Sequence, residues 1–141
     1  AEIAASPLFA AADLRVAPAS PGKATRLLPL LSHPRGTVYL NRVEAGLLCG
    51  ELFADAPSAA RALVARGARR VLVTDGGAAM AEARADGTLI SLAPPQVSVC
   101  RVTGAGDTFM ASHIAAEVGG LDGAAALEEA LAATALYVST A

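Results

Sequence analysis

Apolar positions in this chain fall into short continuous runs separated by amphipathic stretches, the pattern of buried strands alternating with helices. Thr37-Val38-Tyr39-Leu40 and Arg70-Val71-Leu72-Val73-Thr74 are such runs, rich in β-branched residues, and each predicts a buried strand. Asn41 is a good N-cap for a helix over 42–49, with Gly50 as its stop. Ala60, Leu63 and Val64 stand at i, i+3 and i+4 and predict a helix over 57–66 that ends at Gly67. Asp86-Gly87, the strongest short hairpin signal, joins 78–85 to 88–92, and Pro94-Pro95 ends the hairpin. Long helices are expected over 107–118 and 121–138, parted by Gly119-Gly120. Before the first strand the pattern is weaker. It gives a helix over 1–14, a Pro- and Gly-containing loop over 15–23, a short helix over 24–31 and a turn at His33-Pro34-Arg35-Gly36. No internal repeat and no low-complexity linker interrupts the chain. The alternation predicts an α/β class with a mainly parallel sheet, flanking helices and one β-hairpin.

With 141 residues the chain is long enough to bury a core as one domain. It is 54% hydrophobic and 17% charged, against roughly 25% charged in an ordinary domain. No run reaches the roughly 18 apolar residues of a membrane span. Ala1–Ala12 lacks the basic region of a signal peptide, so the expected location is cytoplasmic, with no membrane partner. Net charge is −2 and the arginines are scattered, which leaves no footprint for nucleic acid. Cys49 and Cys100 have no metal-ligand spacing and are expected as buried thiols in a reducing compartment.

Three constellations can carry chemistry. In Val102-Thr103-Gly104-Ala105-Gly106-Asp107, just before a helix, small residues let the backbone turn closely. The amides of Gly104, Ala105 and Gly106 at a helix N-terminus make an anion site. Asp107 in the first turn can take a proton from a hydroxyl while the amides stabilise charge on a transferred phosphoryl group. The alternative is a glycine turn in which Asp107 only compensates the helix dipole. A dinucleotide fingerprint is disfavoured, because Phe109 stands where its third glycine belongs. Asn41 and Glu44 share one helix face at a strand's C-terminal end, where α/β sheets bind ligands; the alternative is a capping box. Thr74-Asp75-Gly76-Gly77 also ends a strand, and alone it reads rather as a plain turn. His33 and His113 have no partners in sequence and are expected in surface or packing roles.

Taken in order, strand–Asn41-x-x-Glu44, strand–Thr74-x-Gly76, hairpin and Gly104-Ala105-Gly106-Asp107 resemble the C-terminal half of the PfkB/ribokinase family of sugar and nucleoside kinases. Ser20-Pro21-Gly22-Lys23-Ala24 and 27–31 are similar to the segment that family carries upstream. The resemblance extends from about residue 15 to 139. Within the family, the Val-Thr-Gly-Ala-Gly-Asp form and the Ser-x-x-Lys-Ala segment look most like pseudouridine kinases. The resemblance implies that Asp107 is the catalytic base and that Gly104, Ala105 and Gly106 form the anion hole. It implies that Asn41, Thr103, Thr74, Gly76 and Gly77 line the nucleotide, with the loop before the last helix closing over the adenine. Glu44 with Asn41 would organise Mg²⁺, and the substrates would be ATP and a small sugar or ribosyl compound such as pseudouridine.

Two departures qualify this. Arg101 stands three positions before the first signature glycine, where the family commonly carries Asp or Asn and where an Asp helps hold an activating monovalent cation. An arginine puts positive charge there, so no conventional monovalent-cation site is expected. The family's N-terminal half, with its β lid and most sugar contacts, has no counterpart in residues 1–14. Residues 1–141 are therefore expected to be an incomplete kinase domain, working in a longer, reassembled or fused enzyme. The alternative is a non-catalytic nucleotide-binding or dimerisation module, with a homodimer as one form.

Overall fold

The computed structural model describes Leu8 and residues 11–140. Its elements are β1 (Leu14–Val16), a 3-10 helix η1 (Pro21–Leu30), β2 (Gly36–Asn41), α1 (Arg42–Cys49), α2 (Ala56–Ala65), β3 (Arg70–Thr74), β4 (Met80–Arg84), β5 (Leu89–Leu92), α3 (Ala105–Val118) and α4 (Gly123–Ser139). The strands form one sheet in the order β1-β2-β3-β4-β5. It is parallel across β1, β2 and β3 and antiparallel from β3 to β4, so the sheet is mixed. The chain divides into two compact units, residues 1–75 with 80–91, and residues 76–79 with 92–141.

In the first unit one face of the sheet presents Val38, Leu40, Val71, Val73, Ala81 and Ala83 to a core shared with Leu27, Leu48, Phe53 and Leu63. The two-residue period of the strands sets that face, and η1, α1 and α2 cover it. Three helix boundaries have a local cause. Asn41 caps α1 and Gly50, at φ 70°, closes it. Asp55 caps α2 by accepting from the Ser58 amide, and Pro57 follows in the first turn, where its missing N–H costs nothing. The 3-10 form of η1 buries Ala24 and Leu27, three apart as its three-residue turn requires. On the opposite face of β3 and β4, the buried Glu82 carboxylate accepts from Arg70 Nε at 3.0 Å and from Arg84 Nε at 2.7 Å. In the hairpin, Gly87 at φ 95° makes the turn and the Thr88 amide donates to Asp86 Oδ1.

In the second unit α3 and α4 pack against each other. Phe109, His113 and Ala116 lie buried along α3 at helical spacing, and the Phe109 and His113 rings are stacked with centroids 6.1 Å apart.

The described residues correct two expectations. Residues 14–16 form strand β1 rather than the end of a helix and the start of a loop, because the parallel partner β2 supplies the pairing that a three-residue run cannot signal. The rest of the helix expected over 1–14 lies mostly outside the described residues; Leu8 and Ala11 are helical. Cys49 is buried but Cys100 is exposed, since it lies in the irregular segment before α3. His33 is buried, and its Nδ1 accepts from the Arg35 amide at 3.1 Å inside the turn.

Candidate functional site

In the second unit, Gly104 is the N-cap of α3 and adopts φ 87°, a left-handed conformation that glycine takes without strain. The Ala105 amide turns back to the Val102 carbonyl at 3.0 Å, and the Thr108 amide donates to the Gly104 carbonyl at 2.9 Å. Among the described residues the amides of Gly104, Gly106 and Asp107 have no acceptor. They are the orphan donors of a helix start and, with the helix dipole, suit an anion. A Cβ built on Gly106 would meet nothing within 4 Å, so the space over this turn is open. Asp107 is the acidic residue of the first helical turn. It is exposed, while Phe109 anchors the buried side of the same helix. The Ala105 amide, engaged with Val102, shapes the turn rather than facing outward.

The turn is braced by Tyr137, which sequence reasoning did not single out, and by Arg101, which it noted only as a departure from the family pattern. The Tyr137 hydroxyl, from the last turns of α4, donates to the Thr103 carbonyl at 2.7 Å. The Arg101 guanidinium lies 3.9 Å from the centroid of the Tyr137 ring. Arg101 Nε also donates to the Tyr137 carbonyl at 2.9 Å. Arg101 thus caps the C-terminal end of α4. Gly76 and Gly77 belong to the same unit, and the Gln96 side chain donates to the Gly77 carbonyl at 3.1 Å.

In the first unit, Asn41 and Thr74 are register partners at the C-terminal ends of β2 and β3. Asn41 and Glu44 form a complete capping box. Arg42, also missed in the sequence, places Nε 2.9 Å from Asp75 Oδ1 and Nη1 2.9 Å from the Phe53 carbonyl, tying the end of β3 to the start of α1. Among the described residues no group of three or more His, Cys, Asp or Glu side chains is placed to hold a metal ion. Glu44 Oε1 accepts from the Asn41 amide at 2.9 Å, which leaves its other oxygen for a ligand. A single carboxylate oxygen suits Mg²⁺, which keeps most of its waters and binds phosphate oxygens.

The architecture defines a class first: a mixed five-stranded sheet with flanking helices is shared with sugar and nucleoside kinases of the ribokinase fold. Similar structures include a carbohydrate kinase from Agrobacterium tumefaciens, 29% identical with a TM-score of 0.77, covering 98% of this chain and 44% of that one. A ribokinase from Arabidopsis thaliana, complexed with ribose and ATP, is 30% identical with a TM-score of 0.69, covering 80% of this chain and 37% of that one. Phosphofructokinase-2 from Escherichia coli, at 20% identity and a TM-score of 0.72, shares the fold over 89% of this chain and 41% of its own. The sequence model of the pfkB family of carbohydrate kinases matches residues 5–141, and the chain belongs to that family. No curated protein matches it in sequence. The chain spans about two fifths of the length of the kinases it resembles. Among the described residues no helix is long and apolar enough to cross a membrane.

Proposed function

We propose that the chain is the C-terminal, nucleotide-binding part of an ATP-dependent kinase that phosphorylates a hydroxyl of a sugar or nucleoside. The observation that carries this reading is the turn at Gly104, with outward amides at a helix start and an exposed Asp107 one residue beyond Gly106, in a chain of this family. Asp107 takes the proton of the accepting hydroxyl as its oxygen bonds to the γ-phosphorus and ADP departs. The amides of Gly104 and Gly106, with that of Asp107, stabilise charge on the transferred phosphoryl group. Thr103, Thr74, Gly76, Gly77 and Asn41 line the nucleotide. Glu44, oriented by Asn41, holds Mg²⁺, which when bound neutralises phosphate charge. No monovalent cation is assigned, because Arg101 puts a positive charge where the family commonly carries the acid that helps hold one. Pseudouridine is the first acceptor to test, on the Val-Thr-Gly-Ala-Gly-Asp form of the turn, and the proposed location is the cytoplasm. The acceptor pocket belongs to the part of a full-length kinase that this chain does not span.

A second reading rests on the same open amides: a nucleotide-binding or dimerisation module without transfer.

Calorimetry with Mg-ATP on the chain, and a phosphorylation assay with ribosides on the full-length or reassembled enzyme, separate the two. Asp107→Asn is expected to lower turnover on the order of 10²–10⁴-fold with Mg-ATP binding retained. Turnover within a few-fold of wild type would remove Asp107 as the base. Mg-ATP binding without any transfer would favour the module.

A further inference from the structure

We infer that Tyr137 and Arg101 are positioning residues that aim the Gly104 amide at the ligand of the turn. The ligand itself rests on the phosphate reading above; the aiming does not. A trans peptide is planar, and its N–H points opposite to its C=O. The Thr103 carbonyl and the Gly104 amide belong to one such plane. Holding the carbonyl through the Tyr137 hydroxyl at 2.7 Å therefore fixes the direction of the amide, which has no acceptor of its own among the described residues.

Tyr137 is itself held. Arg101 lies over its ring at 3.9 Å and bonds its carbonyl, while Arg101 Nη2 reaches Thr140 Oγ1 at 3.2 Å. The amides of Cys100 and Arg101 both donate to the Val138 carbonyl, at 2.6 and 3.1 Å. Helix α4 has no basic residue of its own in its last turn, so Arg101 supplies the cation that a helix C-terminus favours. The segment from Arg101 to Gly104 is thus held at both ends against the last turns of α4, with Tyr137 touching each end. The fit is close as well: a Cβ on Gly104 would lie 2.5 Å from the Tyr137 hydroxyl oxygen.

The test is amide NMR on the ¹⁵N-labelled chain, comparing wild type, Tyr137→Phe and Arg101→Lys, with and without Mg-ATP. Tyr137→Phe keeps the ring and its stacking on Arg101 but removes the hydroxyl. It is expected to shift the Gly104 amide resonance, while the amides of α2 stay in place. Mg-ATP affinity should fall roughly fivefold, the loss one ordinary hydrogen bond carries. Arg101→Lys keeps the charge and loses the planar fork, and should move the same amide by a smaller amount. A Tyr137→Phe variant that lowers the melting temperature but leaves the Gly104 amide unmoved overturns the inference. So does an Arg101→Lys variant with a wild-type Gly104 amide. If Mg-ATP perturbs nothing in wild type while Tyr137→Phe still moves Gly104, the aiming stands and the phosphate reading fails.

Discussion

Asn41 and Glu44 hydrogen-bond to each other's backbone: Asn41 Oδ1 accepts from the Glu44 amide at 2.7 Å, and Glu44 Oε1 accepts from the Asn41 amide at 2.9 Å. The pair is a cap before it is anything else, so a loss of function on removing Glu44 does not by itself identify a metal ligand. Glutamine fills the same place in a capping box and has no charge. Glu44→Gln is expected to unfold within about 0.5 kcal/mol of wild type, yet to bind Mg-ATP more weakly and to need more Mg²⁺. Asn41→Ala should cost about 1 kcal/mol of stability through the lost cap. Urea unfolding and calorimetry at several Mg²⁺ concentrations read the two effects separately. Wild-type Mg²⁺ dependence in Glu44→Gln would leave Glu44 with capping alone.

Gly104 has two reasons to be glycine. Its φ of 87° is left-handed, which disfavours any L side chain by roughly 1–2 kcal/mol. Its missing Cβ also makes room for the Tyr137 hydroxyl. Gly104→Ala is expected to destabilise by more than the conformational part alone. Gly50→Ala supplies the comparison, since Gly50 has φ 70° with open space where its Cβ would be. In a Tyr137→Ala background the Gly104→Ala penalty should fall toward the Gly50→Ala value. Equal penalties in both backgrounds, measured by denaturant unfolding as a double-mutant cycle, would contradict the close fit.

These two sites also mark where sequence reasoning reaches and where it stops. The limits of α1, the Asp86-Gly87 hairpin and the position of the glycine turn were legible, because caps and turns are built from residues a few positions apart. The Asp55 cap left a signal too, an aspartate two residues before a proline, that went unused. The brace on the turn left none. Tyr137 lies 34 residues from Thr103 and Arg42 lies 33 from Asp75, and no local pattern encodes such pairs. Strand β1 failed for the same reason, since its partner lies across η1. The expected burial of Cys100 came from the preference of its residue type, which the irregular backbone before α3 overrode.

Two exposed aspartates set an acid sensitivity. Hydrogen bonds from the Ser58 side chain and backbone hold the Asp55 carboxyl below its ordinary value of 3.8, and Thr88 does the same for Asp86. Each carboxylate binds its proton more weakly folded than unfolded. Its contribution is therefore fully present above the unfolded value and is lost as pH falls through the lower folded one. Asparagine caps a helix without titrating. The melting temperature of wild type is expected to drop more than that of Asp55→Asn between about pH 5 and about pH 2. Parallel melting curves over that range would remove Asp55 from the account.

Glu82 is the most exacting position in the sheet. It is fully buried, and its Oε2 takes hydrogen bonds from both Arg70 and Arg84. Those two arginines face each other across β3 and β4, so the carboxylate separates like charges as well as pairing with them. Glu82→Ala leaves two guanidinium groups side by side, and that of Arg70 is buried. Removing one partner of such a buried network costs about 3–5 kcal/mol, so this variant should unfold at much lower urea. Glu82→Gln keeps the shape and an acceptor but loses the charge, and should fall between wild type and alanine. Because the source of the loss is repulsion between arginines, Glu82→Ala combined with Arg70→Met should recover part of it, while Arg70→Met alone should destabilise. Strict additivity of the two substitutions in urea unfolding would show that Glu82 acts by filling space rather than by balancing charge.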